Sequence, residues 1–376
     1  MIRSTQRLRI KLLKKKKEPK SKEAQKVFDS LSAPRGAMNI KEVALEAGVS
    51  SATVSHVINN TKFVTGATRQ KVLRAIKRFN YYPNAHARAL ASGRSNIIGL
   101  LVSDISNPFF PELVKSVEAA AFEHGYNVIL VNTNYDARRA ADYVRRLIEL
   151  KVAGVALMTS ELDPELINEL ERRQVRVVFH NLGTAGEHMS NILVDYATGI
   201  EEAVRHLVSL GHRKIAHIAG PNRFRSAVIR RKAFLDSMKR HFPRAREPAI
   251  YDGDFKFEGG QRAASEILAA EDLPTALVVA NDMMALGAMQ QLRAAGLNIP
   301  QDISIVGFDD IAFAALSDPP LTTVCSPRVE IGRKAIEALM AIIRHPSQKG
   351  LETRVTTYLV TRGSTGPARR AKRSAD

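Results

Sequence analysis

A chain of 376 residues, 45% hydrophobic and 25% charged, is too long for one core and predicts two or three soluble domains. No apolar run approaches the ~18 residues that span a bilayer, and no basic-then-apolar leader with a small-residue cleavage site is present. The lone cysteine, Cys325, excludes an internal disulfide framework and a cysteine-pair zinc site and suits a reducing cytoplasm, while the net charge of +18 sits almost wholly at the two ends.

Residues 1–37 hold 12 Lys and Arg against 3 Asp and Glu, residues 38–96 hold 9 against 2, and residues 362–376 hold 5 against 1. Residues 97–361 are nearly balanced, at 30 against 32. Such asymmetry predicts a polyanion-binding N-terminal region on a body with no such affinity. The segment 1–37, with the run Lys14 to Lys17, repels itself, buries nothing and is expected to be disordered. A nucleic-acid arm, a targeting sequence and an over-long start with Met38 as the true initiator are three readings of it.

Residues 38–82 read as a three-helix helix-turn-helix domain. Ile40, Val43, Ala44 and Ala47 share one face of a first helix, and Gly48 supplies the left-handed turn that follows. Val49 turns inward, and Ser50 is a natural N-cap that also counts among the expected DNA-contacting residues, with Ser51, Ala52, Thr53, Ser55, His56 and Asn59. The second helix, Ser51 to Asn59, has Val54, Val57 and Ile58 as its apolar stripe. Ser51, Ala52, Ser55 and His56 face away, with Thr53 and Asn59 beside them, and small polar side chains suit entry into a major groove. A third helix, about Thr68 to Phe79, has an inner face of Val72, Leu73, Ile76 and Phe79. Its outer cations, Arg69, Lys71, Arg74, Lys77 and Arg78, and Lys62 before it are placed for phosphates. Asn84 to Leu90 reads as a linker helix far below the ~12–15 residues at which isolated helices become stable.

From residue 97 the texture changes to short continuous apolar runs alternating with helical stretches, the pattern of a doubly wound α/β sheet. The runs are Ile97 to Val102, Val128 to Val131, Val152 to Leu157, Val175 to Phe179, Ile215 to Ile218, Ala276 to Val279 and Ile303 to Val306. They exceed what one sheet needs, so two lobes are expected. The basic tail 363–376 is expected to be disordered.

Ile40-Lys41-Glu42-Val43-Ala44, Ala47-Gly48-Val49-Ser50, Ala52-Thr53-Val54-Ser55 and Tyr82-Pro83-Asn84 resemble the head of the LacI/GalR repressor family, and most of all its purine-repressor branch. The likeness extends to about Arg362. It implies a regulator, most simply a repressor, acting as a homodimer on near-palindromic operator DNA under control of a small effector, with no cofactor. It implies a hinge over 83–96 in which Leu90 wedges into the minor groove, with Tyr82, Asn84 and Arg88 near the DNA. Many members carry Arg at the position of His56, which makes the operator's letters depend on that residue.

For the core the resemblance implies a periplasmic-binding-protein-like pair of lobes, the first about 97–196 and 325–350, the second about 197–324 and 351–362. Matching positions place Asp104, Phe109, Phe110, Ser226, Arg230, Phe255, Asn281 and Asp309 in an effector cleft. Aromatic faces, one cation and carboxylate or amide groups suit a sugar or nucleobase, although each residue taken alone fits a core or turn position equally well. Phe224 departs from the purine-repressor branch, and Cys325-Ser326 and His180-Asn181 depart from the family's usual residues, which counts against a purine and leaves a sugar or sugar acid equally open beside it. No phosphate loop, metal-ligand pair or nucleophile elbow points to an enzyme. A solute-binding protein without a DNA role is the rival reading, and the head and missing leader oppose it.

Overall fold

The computed structural model describes residues 39–81, 95–159, 162–182 and 184–369, and the chain divides into two units at Gly93–Arg94. The N-terminal extension and the hinge positions Tyr82, Asn84, Arg88 and Leu90 lie outside the described residues.

Helix α1 of the head, Ile40–Ala47, opens on a capping box: the Asn39 side chain accepts from the Lys41 and Glu42 amides, and the Glu42 carboxylate accepts from Asn39 N at 2.7 Å. It ends at Gly48, whose φ of 66° would strain any side chain. Helix α2, Ser51–Asn59, is capped by Ser50, whose Oγ accepts from Thr53 N at 3.1 Å. Helix α3 runs Gly66–Phe79, two residues longer at its start than its pattern predicts. Val43, Ala44, Ala47, Val54, Val57, Val72 and Ala75 form the buried centre. Leu73, expected inside, is half exposed, and Ala75 takes the inner position. Residues 72, 75, 76 and 79 share one helical stripe; 73 lies 100° away from 72.

The second unit is two parallel sheets. The first lobe contains β1 Ile97–Val102, α4 Phe109–Glu123, β2 Asn127–Asn132, α5 Ala137–Glu149, β3 Gly154–Met158, α6 Pro164–Arg172, β4 Val177–His180 and β5 Met189–Asp195. The second contains α7 Tyr196–Ser209, β6 Ile215–Ala219, α8 Arg225–His241, β7 Ile250–Asp252, α9 Phe257–Leu268, β8 Ala276–Val279, α10 Asp282–Ala294, β9 Ser304–Asp309, α11 Ala312–Leu316 and β10 Thr322–Cys325. The chain then returns to the first lobe for α12 Arg328–Arg344 and β11 Glu352–Thr356, and ends in the second with β12 Tyr358–Val360. The sheet orders are β11-β5-β4-β3-β1-β2 and β12-β10-β9-β8-β6-β7, all parallel but for β12 against β10. Central strands such as β3 and β8 are buried throughout, which is why they read as unbroken apolar runs.

Two expectations are corrected here. Residues 351–362 do not all belong to the second lobe: β11 pairs with β5, Thr356 opposite Asp195, and Cys325 belongs to the second sheet through its pairing with Asp309. The chain changes sheets at Thr357, between β11 and β12. The buried Thr357 hydroxyl donates to Asp195 O at 2.6 Å and accepts from Gly199 N at 3.1 Å, tying this crossing to the one at the end of β5. The tail is likewise ordered through residue 369. Ser364 is buried and exchanges backbone and hydroxyl bonds with Ile305 and Thr322, Thr365 meets His206, and Ala368 N donates to Leu210 O. Small residues without periodicity carry no sign of this, because the bonds are one backbone pair and one hydroxyl to the starts of β9 and β10.

Candidate functional site

On the head, α2 presents Ala52 and Asn59 as exposed positions and Ser51, Thr53, Ser55 and His56 as half-buried ones. The Ser50 and Thr53 hydroxyls lie 3.0 Å apart at the N-cap, His56 Nδ1 is 2.9 Å from Thr61 Oγ1, and Asn59 Nδ2 donates to Ser55 Oγ at 3.2 Å. His56 is thus oriented by its neighbour rather than swinging freely. Lys62, Lys71, Arg74 and Lys77 are exposed, as a phosphate-facing set requires. Arg69 is not part of that set: its guanidinium donates to Asn60 Oδ1 at 3.0 Å and to Val57 O, closing the C-terminal end of α2. Arg78 is paired with Glu46 of α1. Phe63, beside Lys62, is 94% exposed, an apolar side chain that periodicity could not single out.

In the core, the carboxyl ends of the parallel strands of both sheets open on one cleft of about 490 Å³, mouth included. Strand-end loops are where an open α/β sheet can offer unpaired groups without breaking its ladder. Phe109 and Phe110 at the start of α4 meet edge to face with centroids 5.2 Å apart. The second lobe contributes Ser226 and Arg230 of α8, Phe255 after β7, Asn281 after β8 and Asp309 ending β9.

Arg230 is the charged centre of this wall and is 7% exposed. Its Nη1 donates to Ala280 O at 2.5 Å, its Nη2 lies 3.4 Å from Asp309 Oδ1, and its guanidinium carbon stands 4.0 Å from the Phe308 ring centroid and 4.6 Å from that of Tyr196. Burial pushes the Asp309 carboxyl up to about 6, against the opposing pull of Arg230 and Arg328. Behind it, burial and the Asp309 charge raise Asp282 well above the usual range, while Thr323 Oγ1 and Ile311 N donate to its carboxylate.

Backbone strain gathers at this wall: φ is 66° at Phe255, 113° at Asp309 and 57° at Asp310. Each is held from outside. The guanidinium of Arg328, at the start of α12, donates to the carbonyls of Asp309 and Asp310 and, through Nε, to Glu112 of α4 at 2.9 Å. Asn281 accepts from Met284 N through Oδ1 and donates to Phe255 O at 2.9 Å through Nδ2, so its amide holds α10 and the Phe255 turn. Gly220 lies under the Phe255 ring, where any Cβ would overlap it.

Of the eight core residues expected in the cleft, Phe109, Phe110, Ser226, Arg230, Phe255, Asn281 and Asp309 line it. Asp104 does not. Its Oδ1 accepts from Ser106 N and Oγ, at 2.9 and 2.7 Å, and turns the loop that presents Ser103 and Asn107 instead. Tyr135, Met158, His180 and Tyr196 complete the lining. Ser103, Met158 and His180 stand at or just past the ends of β1, β3 and β4, a positional rule that would have found them. Phe224 lies behind the lining, its ring 5.3 Å from Tyr135 of the first lobe and 6.1 Å from Phe255 of the second. Among the described residues no cluster of His, Cys, Asp and Glu suits a metal, and no helix is long and apolar enough to cross a membrane.

The model of the bacterial regulatory proteins of the lacI family matches residues 39–84, and that of the periplasmic binding protein-like domain matches 204–365. The HTH-type transcriptional repressor PurR of Photobacterium profundum is 36% identical over 326 residues, 86% of this chain and 98% of its own. The ribose operon repressor of Escherichia coli K12 is 37% identical over 327 residues, covering 86% and 99%. Among solved structures, the lac repressor dimer bound to operator and the anti-inducer ONPF is 30% identical with a TM-score of 0.79, over 88% of this chain and 99% of that one. A ribose-bound regulator from Enterococcus faecium is 28% identical with a TM-score of 0.66, over 73% and 100%.

Proposed function

This chain belongs to the lacI family of bacterial regulatory proteins, and from that premise we propose that the cleft ending on Arg230 and Asp309 binds the small effector that sets its operator affinity. It is a DNA-binding transcriptional repressor with an effector-binding core, and its curated relatives are repressors rather than enzymes. The observation that carries the proposal is the combination, in one chain, of a capped recognition helix and a buried, charge-balanced, aromatic cleft at strand ends. Ser51, Ala52, Ser55, His56 and Asn59 are the base-reading positions, Ser50 and Thr53 set the N-terminal end of the helix, and Lys62 with the exposed cations of α3 meets phosphates. Tyr82, Asn84, Arg88 and Leu90 supply the hinge contacts. Such a protein works where the chromosome is, in the cytoplasm.

Effector and operator are then coupled through one free energy of about 1–3 kcal/mol, in either sign. Operator binding measured by fluorescence anisotropy is expected to weaken about a thousandfold between 50 and 200 mM salt. A flat response would remove the phosphate contacts from the account.

The protein acts as a homodimer. An apolar face built from Phe257, Met283 and Leu286 with Phe313 and Leu316, the last two 54% and 78% exposed, is the surface we assign to pairing. Leu286→Glu is expected to sediment as a monomer and to bind full operator at least a hundredfold more weakly, because the second head loses its tethered concentration. Effector binding in the same variant should persist. A variant that remains dimeric would place the interface elsewhere.

A further inference from the structure

We propose that the effector is uncharged where it meets the first lobe, and that His180 selects it by offering a neutral imidazole nitrogen. This rests on the reading of the cleft as the effector site. His180 ends β4 and is 8% exposed, and its Nε2 is buried without a hydrogen-bond partner among the described residues. Buried polar atoms are nearly always paired, so an orphan on a cleft wall asks for a partner from outside the chain. The neighbouring Asn181 does not share this role. It is absent from the lining, and its Oδ1 accepts from Val194 N at 2.8 Å to hold β5.

Charge points the same way. Among the lining residues Arg230 and Asp309 are the cation and the carboxylate, and they already face each other at 3.4 Å. A ligand carboxylate would gain from Arg230, meet Asp309, and lose its hydration among Phe109, Phe255 and Tyr196. A ligand cation would meet Arg230. A hydroxyl loses far less on burial, and because it both donates and accepts it satisfies Nε2 in either ring tautomer. Burial, aided by the Arg230 charge across the cleft, lowers the His180 pKa to about 4, so the ring supplies no counter-charge for an anion. Neutral sugars and neutral nucleobases fit this wall; sugar acids do not.

The test uses the full-length chain with matched probes: D-ribose and D-ribonate, D-glucose and D-gluconate, hypoxanthine and orotate. Thermal shift identifies binders, and calorimetry gives their affinities for wild type, His180→Ala and His180→Asn. Stabilisation by uncharged members, a loss of at least tenfold in His180→Ala and recovery of most of it in His180→Asn are expected. Recovery by the amide separates a ligand contact from mere packing. Tighter binding of the acidic member of a pair, or equal affinity in His180→Ala and wild type, overturns the role of His180. Stabilisation by none of the six probes overturns the effector reading of the cleft, and the proposal with it.

Discussion

Replacing Arg230 with methionine is expected to weaken effector binding at least a hundredfold and to make the stability of the core depend on pH in a new way. The side chain fills its place between Phe308 and Tyr196, but the Ala280 carbonyl loses its donor and Asp309 its counter-ion. Removing one partner of a buried pair typically costs about 3–5 kcal/mol, because a charge is left behind. Here Asp309 has a way out. Burial already holds its pKa near 6 with the arginine present, and without it the carboxyl rises further and takes a proton. The deficit relative to wild type should therefore be small at pH 5.5, where Asp309 is neutral, and large at pH 8, where it is forced to ionise. Urea denaturation at the two pH values reads this, alongside calorimetric titration. A deficit that ignores pH would mean that Asp309 is not the group left exposed to the loss.

His217→Asn is expected to resist acid better than wild type. His217 sits at full burial in β6, stacked on Phe234 with centroids 4.9 Å apart, its Nδ1 2.7 Å from Val278 O. Burial lowers its pKa from 6.5 to about 4. In the folded chain it stays neutral, while in the unfolded chain it gains a proton below pH 6.5. Its contribution to stability is complete above that value and is lost as pH falls from 6.5 toward 4, by roughly 3 kcal/mol. Asparagine keeps a donor for the Val278 carbonyl and does not titrate. The variant should lose about 1 kcal/mol at pH 7.5, from imperfect packing, and lead by about 2 kcal/mol at pH 4.5. A variant-to-wild-type difference that stays constant between the two pH values sinks this account. The comparison has to be between variants, because Asp309 and Asp282 pull the wild-type curve the other way: their raised pKa values favour the folded chain as pH falls.

The head was legible nearly in full, because its cues are local. Gly48 and Ser50 act within a few residues of themselves, and they end α1 and open α2 where the pattern predicts. Leu73, Arg69 and the start of α3 depart from the pattern: Ala75 rather than Leu73 lies on the stripe of 72, 76 and 79, and Arg69 bonds back to α2. Strands were legible as apolar runs for a related reason: both faces of a central parallel strand are covered. The lobe exchange at Thr357 and the packing of Ser364 were not legible, since hydrogen bonds to strands distant in the chain leave no periodicity. Asp104 and Asn281 show the same limit around the cleft, the first outside its lining and the second within it. Both types suit a ligand, and both spend hydrogen bonds on a turn or a helix cap.

By itself, then, the sequence determined the reading head, the charge asymmetry, the alternating α/β texture and the residue types around the cleft. All of these are properties of neighbours along the chain. The tertiary structure decided that Arg230 faces Asp309, 79 positions away, that His180 from the other lobe shares their cleft, and how far burial moves each pKa. Desolvation and charge pairing depend on which strand ends meet, and that follows from sheet order, which no local pattern encodes.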